Sequence, residues 1–234
     1  MIEHIAFDAD DTLWHNETIF HMTHEKFETL LAEYDSTDGI KKRLFETEMR
    51  NLQYFGYGIK GFTLSMIETA IELTGGRING NRIQEIIQLA RDMVKAPVEL
   101  LEHVRDTIPL LAQSYSLILI TKGDIFDQES KIARSGLSNY FKHIEILSKK
   151  TVDTYQHVLK KYHLDPHSFL MVGNSLKSDI LPVLEIGGHG VFIPYPLCWE
   201  HEQVDETELL HKNYHELEHI GLLPELIKHI GKAA

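Results

Sequence analysis

From residue 116 onward the chain alternates short apolar runs with helical stretches, and that alternation admits few folds. Apolar runs stand at 116–121, 143–147, 169–173 and 190–194. Helical spacing of apolar residues fills 126–135, 151–163, 177–186 and 215–231. Strands that alternate with helices build a parallel sheet with helices on both faces, because each parallel connection has to cross the sheet. One more strand opens the chain: Ile2 and Ile5-Ala6-Phe7 form an apolar run that stops at Asp8-Ala9-Asp10-Asp11. The expected fold class is therefore α/β.

Between that first strand and the rest lies a block of a different kind. Segments 17–34, 39–54, 62–74 and 81–94 carry apolar residues three and four apart, as in Phe20, Phe27, Leu30 and Leu31, or Ile83, Ile86, Ile87 and Ala90. Gly56, Gly58, Gly75-Gly76 and Asn79-Gly80 punctuate the gaps. Pro97 stands where a further helix, 97–114, is expected to begin. No strand candidate falls in 17–95. The expected organisation is an α/β core formed by 1–16 and 96–234, with 17–95 inserted as an all-helical domain.

The formal net charge of −12 sets the field around such a molecule against polyanions. No dense basic run offsets it, so a nucleic acid is not an expected partner. No apolar run is long enough for a helix to cross a bilayer, and a membrane is not an expected partner. The single cysteine, Cys198, forms no internal disulfide, and 1–5 lacks the make-up of a secretion signal. Both point to the cytoplasm.

Three strands end in polar residues: Asp8 to Asp10, Thr121-Lys122, and Asn174 to Asp179. Open parallel sheets bind ligands beyond the carboxyl ends of their strands, so these endings are expected to meet. Asp8 and Asp10, two apart just past a strand, both project toward one pocket. One carboxylate can attack while the other handles protons. Two like charges so close call for a cation, and magnesium accepts oxygen ligands alone.

Asp8-Ala9-Asp10-Asp11-Thr12-Leu13 resembles the DxDxT motif of the haloacid dehalogenase (HAD) superfamily. Leu119-Ile120-Thr121 looks like its second motif, and a lysine near 150 is similar to the third. Gly173-Asn174-Ser175-Leu176-Lys177-Ser178-Asp179 is similar to the fourth, usually G-D-x-x-x-D. The resemblance implies a Rossmann-like core with 17–95 as a helical cap. It also implies a magnesium-dependent phosphatase acting on a small phosphorylated metabolite through an aspartyl-phosphate. Asp8 would be nucleophile and metal ligand. Asp10 would be acid/base and a ligand through its carbonyl. Thr121, with the N–H groups of Lys122 and Gly123, would hold the phosphoryl group, and Lys150 would offset its charge. Asp179 and Asn174 would complete the metal set. Asn174 departs from the usual Asp, keeping an oxygen but losing a charge.

Dehalogenases of the superfamily lack the second aspartate of the first motif, so Asp10 favours phosphoryl chemistry. A phosphomutase of the same fold is the alternative within the class, and a non-catalytic ligand-binding or regulatory member is the alternative outside it. Lys149 and Lys150 both precede the 151–163 helix; Thr151, a plausible helix cap, favours Lys150 as the active lysine. Substrate choice is expected to rest with the cap. There the loop 54–62 holds four aromatics, three glycines and Lys60, a candidate substrate contact.

Overall fold

The computed structural model describes residues 1–209 and 212–230. The chain opens with β1 (His4–Phe7) and then runs through four helices: α1 (Glu17–Leu31), α2 (Thr37–Phe55), α3 (Ile59–Leu73) and α4 (Gly80–Lys95). It returns through α5 (Val104–Leu111), β2 (Ser116–Lys122), α6 (Ile125–Ser135) and β3 (His143–Leu147). The remaining elements are α7 (Val152–Tyr162), β4 (Phe169–Gly173), α8 (Leu181–Glu185), β5 (His189–Phe192), β6 (His215–Glu216) and α9 (Leu223–Ile230).

Among the described residues the six strands form one parallel sheet in the order β3-β2-β1-β4-β5-β6. The expected Rossmann-like α/β fold is thus present. Strand order reverses between β1 and β4, and that switch point is where open α/β sheets bind ligands.

Alternation along the strands sends neighbouring side chains to opposite faces. Ile5, Phe7, Leu117, Leu119, Leu170 and Val172 join Val104 and Ile108 of α5 and Leu223 and Ile227 of α9 in one core layer. Ala6, Ile118, Ile120, Phe169 and Met171 join Tyr155, Val158 and Leu159 of α7 and Val183 of α8 in the other. Each layer removes strongly apolar side chains from water, worth about 1.5–3 kcal/mol for each one fully buried.

The chain divides into two compact units: Met1–Glu17, Val98–Lys122 and Gln128–Ala234 form one, and Thr18–Pro97 with Gly123–Asp127 the other. The helical unit has its own apolar core, built on Phe27, Leu31, Ile40, Leu44, Met66, Ala70 and Ile86. Its helices start on caps that the sequence supplies: Ser36 accepts from Gly39 N ahead of α2, and Asn79 accepts from Arg82 N ahead of α4.

Several boundaries differ from the sequence reading. The helix expected at 97–114 shrinks to α5, because 98–101 pairs instead with the chain after β1: Leu101 N donates to Leu13 O and His15 N to Glu99 O. The loop expected at 54–62 shrinks to Gly56–Gly58, since Tyr54 and Phe55 end α2 and Ile59 starts α3. Gly56 has φ +69° and Gly58 φ +111°, values that a side chain resists, and they turn the chain there. The stretch 177–186 begins with a π-type turn, Leu176–Ile180, before α8. The helix expected at 215–231 holds β6 first and α9 after it, and residue 231 lies outside the described residues.

Candidate active site

Asp8 directly follows β1, and its N–H donates to Val172 O of β4 at 2.9 Å. It is buried at the switch point of the sheet. The chain then folds back tightly, with Leu13 N donating to Ala9 O at 2.8 Å and Asp11 N to Trp14 O at 2.7 Å. Asp11 takes φ +60°, a left-handed value that Asp tolerates better than most residues. Its carboxylate accepts from the N–H groups of Asn16 and Glu17 at the start of α1. Burial nevertheless pushes the Asp11 carboxyl up to about 8, against those two hydrogen bonds.

Lys150 reaches Asp8 from the loop between β3 and α7. Its ammonium pairs with Asp8 Oδ1 and, at 2.6 Å, with Asp179 Oδ1. Its side chain is 1% exposed, whereas Lys149 is exposed. Thr151 caps α7 through a capping box with Thr154 and thereby fixes where the loop ends. Burial alone would lower the Lys150 ammonium; the carboxylates of Asp179 and Asp8 outweigh it and raise it above the ordinary lysine value. Burial raises the Asp8 carboxyl, which Lys150 opposes and Asp179 reinforces. Two buried carboxylates around one ammonium leave an excess negative charge.

The turn after β4 supplies the other wall. Asp179 accepts from Lys150 Nζ on Oδ1 and from Ser175 N on Oδ2, the latter at 3.1 Å. A β-carbon at Gly173 would stand 2.3 Å from that Oδ2, so glycine is required for the carboxylate to lie there. Asn174, with its amide nitrogen toward Asp8, donates to Asp8 Oδ2 at 3.2 Å and to Asp10 O at 3.3 Å. Thr12 Oγ1 also donates to Asp8 Oδ2, at 3.1 Å.

These oxygens test the fit of a magnesium ion. Among the described residues no group of three His, Cys, Asp or Glu side chains is placed to hold a metal. The set at Asp8 is instead a carboxylate oxygen, a backbone carbonyl and one side-chain amide. All three can offer oxygen once the Asn174 amide turns over. Magnesium keeps several waters and needs one or two carboxylates, so the donors and the excess negative charge both fit it. Asp179, expected in the metal set, instead has Oδ1 engaged by Lys150 and Oδ2 by Ser175 N.

The Asp10 carboxylate turns toward α6. Lys131 Nζ donates to Oδ1 at 2.7 Å and to Oδ2 at 2.8 Å. Trp14 Nε1 donates to Oδ1 at 2.7 Å and Gln128 Nε2 to Oδ2 at 2.9 Å. A carboxylate has about four lone-pair sites, and these four contacts use them. Gln128 Nε2 also faces Thr121 Oγ1 at 3.1 Å and Lys122 O at 2.8 Å, linking Asp10 to the end of β2.

The sequence reading named Asp8, Asp10, Thr121, Lys150, Asn174 and Asp179, and contacts run between them or through Gln128. Thr12 was read as part of the first motif without a role of its own, and Gln128 and Lys131 were missed. Gln128 and Lys131, three apart on α6, share a helix face, but that spacing alone looks like any polar surface. The Lys122 ammonium is held by Glu202 and Ser178. Gly123 takes φ +135°. Lys60 belongs to the helical unit and pairs there with Asp124 at 3.0 Å, 5.6 Å from the centre of the Phe126 ring.

The family model for haloacid dehalogenase-like hydrolases matches residues 2–187. A haloacid dehalogenase-like family hydrolase from Xanthomonas campestris is 41% identical; the match covers 98% of this chain and 91% of that one, with a TM-score of 0.86. A glyceraldehyde 3-phosphate phosphatase from Pyrococcus furiosus is 28% identical over 124 residues, 51% of this chain and 49% of the relative, so the chain spans about half that relative's length. The fold is also shared with YfnB of Bacillus subtilis, solved bound to magnesium, at 16% identity and a TM-score of 0.68; that match covers 97% of this chain and 98% of that one.

Proposed function

The chain belongs to the haloacid dehalogenase-like hydrolase family, and we propose that it is a phosphatase that hydrolyses a small phosphorylated metabolite with Asp8 as its nucleophile. The observation that carries this reading is the buried Asp8 carboxylate at the switch point, paired with Lys150 and faced by the Asn174 amide. Asp10, two residues on, is the acid/base group that separates phosphoryl from carbon–halogen chemistry. The phosphatase relative supports the same choice.

In this mechanism an Asp8 carboxylate oxygen attacks phosphorus as the ester bond breaks, and Asp10 gives its proton to the leaving oxygen. Asp10 then takes a proton from water as that water attacks phosphorus. The aspartyl–phosphate bond breaks, freeing inorganic phosphate and Asp8. Lys150 offsets charge on the phosphoryl group. Thr121 Oγ1 lies 3.1 Å from Gln128 Nε2, and in this reading its hydroxyl donates to a phosphoryl oxygen. The N–H groups of Lys122 and Gly123 serve the same oxygens. Asp10 has to release one of its four contacts before it can exchange a proton, and Lys131 has Asn16 Oδ1, at 3.1 Å, as a second acceptor when it does. Asp8, the Asp10 carbonyl and the turned Asn174 amide would hold magnesium, which supplies Lewis-acid stabilisation of the phosphoryl oxygens. Asp179 keeps Lys150 against Asp8.

The helical unit is the cap in this reading and chooses the substrate, with Lys60 at its loop edge. The relative's name makes triose-phosphate-sized esters the first to test. Phosphate release from an aryl phosphate and a metabolite panel should require magnesium, stop with chelator and disappear in Asp8→Asn. Equal release by Asp8→Asn, or halide release from 2-haloacids in place of phosphate release, would reject the reading.

A further inference from the structure

Glu202 lies in a short turn, Glu200–Glu202, outside the four motifs and beyond the matched stretch 2–187. Its carboxylate nonetheless reaches two of the motif loops. Oε1 accepts from Lys122 Nζ at 2.5 Å. Oε2 accepts from Ser175 Oγ at 2.5 Å and from Ser178 Oγ at 2.6 Å. Lys122 Nζ also donates to Ser178 Oγ at 2.9 Å, closing the ring. A neighbouring contact fastens the same turn, with Lys177 Nζ donating to His201 O at 2.7 Å.

The two loops belong to β2 and β4, the strands that flank β1. Lys122 follows Thr121 at the end of β2, while Ser175 and Ser178 sit between Asn174 and Asp179 after β4. The groups beside Asp8 thus come from two strand ends that share no direct ladder, and one carboxylate joins them together with the Lys122–Ser178 bond. Its side chain is 12% exposed, so its hydrogen bonds are shielded from water. Burial works against its charge, but Lys122 and the two serine hydroxyls outweigh that and hold the carboxyl at about 2.

We propose that Glu202 is a positioning residue for the Asp8 site: by binding Lys122, Ser175 and Ser178 together, it sets Thr121 on one side of Asp8 and Asn174 with Asp179 on the other. The assignment rests on the phosphatase reading for its catalytic consequence, and on the contacts alone for the link itself. Within the 174–179 turn, Ser175 Oγ accepts from Ser178 N at 3.0 Å while donating to Glu202. Losing the carboxylate therefore loosens the turn that aims Asp179 at Lys150.

The test compares wild type with Glu202→Gln, which keeps the size and removes the charge, and with Glu202→Asp, which restores the charge. In Glu202→Gln, kcat on an aryl phosphate should fall about tenfold or more while KM changes less, as small misplacements of reacting groups do. Inhibition by orthovanadate should weaken, and Glu202→Asp should recover part of both losses. Backbone amides of 174–179 should exchange hydrogen faster in Glu202→Gln, with those of α2 and α3 unchanged. Faster exchange with unaltered kcat and vanadate inhibition would make Glu202 a stabilising link only and overturn the positioning role. A wild-type protein that releases no phosphate would end the phosphatase reading, and exchange would then decide on the link itself: unaltered exchange at 174–179 in Glu202→Gln would reject it.

Discussion

The hydroxyls buried in the helical unit and the polar groups buried around Asp8 are satisfied in different ways. In the helical unit most buried hydroxyls are satisfied locally: Thr23, Thr47, Ser65 and Thr74 each donate to the carbonyl four residues back. Such bonds cost the core little and commit the side chain to nothing beyond its own helix. In the α/β unit the polar groups buried around Asp8 include charged ones, and their partners are remote in sequence. Lys150 meets Asp8 across 142 positions, and Gln128 meets Asp10 across 118. Desolvating such groups is expensive unless every partner is present. The helical unit is organised for packing, and the α/β unit holds together an array that serves chemistry better than stability.

That contrast can be broken by substitution. Lys150→Ala should lower the rate by about 10²–10³. It should also destabilise the α/β unit by about 3–5 kcal/mol, because Asp8 and Asp179 remain buried without their ammonium. Lys149→Ala should leave both quantities near wild type. Steady-state phosphate release and denaturant unfolding measure the two effects, and the opposite ranking of the lysines would move the role to Lys149.

In the helical unit, Phe27→Ala should cost about 3–5 kcal/mol through the cavity it leaves. Phe27 is 0% exposed and packs in the core of the helical unit. Turnover of a small aryl phosphate, assayed well below the melting temperature, should therefore change little. A rate loss as large as that of Lys150→Ala would show that the helical core serves the chemistry directly.

A smaller effect sharpens the same comparison through pH. Burial, with help from His21 and Lys41, lowers His24 from 6.5 to about 4, and its ring lies 4.9 Å from that of Phe62. The unfolded chain binds a proton at His24 below pH 6.5 that the folded helical unit refuses. Stability from this group is therefore complete above pH 6.5 and falls between 6.5 and 4, by up to about 3 kcal/mol. His24→Phe should flatten the acid limb of the unfolding curve. An unchanged limb would remove His24 from the pH dependence of the helical unit.

How legible each unit was in the sequence follows from the same contrast. The sheet and its central site were readable because apolar strand cores end abruptly in Asp8, Thr121 and Asn174, and burial leaves little freedom in what such runs become. Lys150 was readable through its place before Thr151. Gln128 and Lys131 were not, since one polar face of α6 is chemically ambiguous until β1 is placed beside it. Glu202 was hidden in an acidic stretch with no period. The reach of the 54–62 loop was overread because Tyr54 and Phe55, 73% and 51% exposed, break the apolar periodicity of α2 although they still belong to its last turn. β6 is two residues long and sits in a stretch whose spacing also suits a helix.

The central claim is covalent attack by Asp8, and the measurement that tests it most directly is chemical trapping during turnover. Protein mixed with an aryl phosphate and magnesium would be quenched in acid and reduced with borohydride, which converts an aspartyl-phosphate to homoserine. Peptide mass spectrometry would then locate the change. The account predicts homoserine at position 8 in the wild type, dependent on substrate and absent from Asp8→Asn. Rapid phosphate release with an unmodified Asp8, or homoserine at another aspartate, would contradict it.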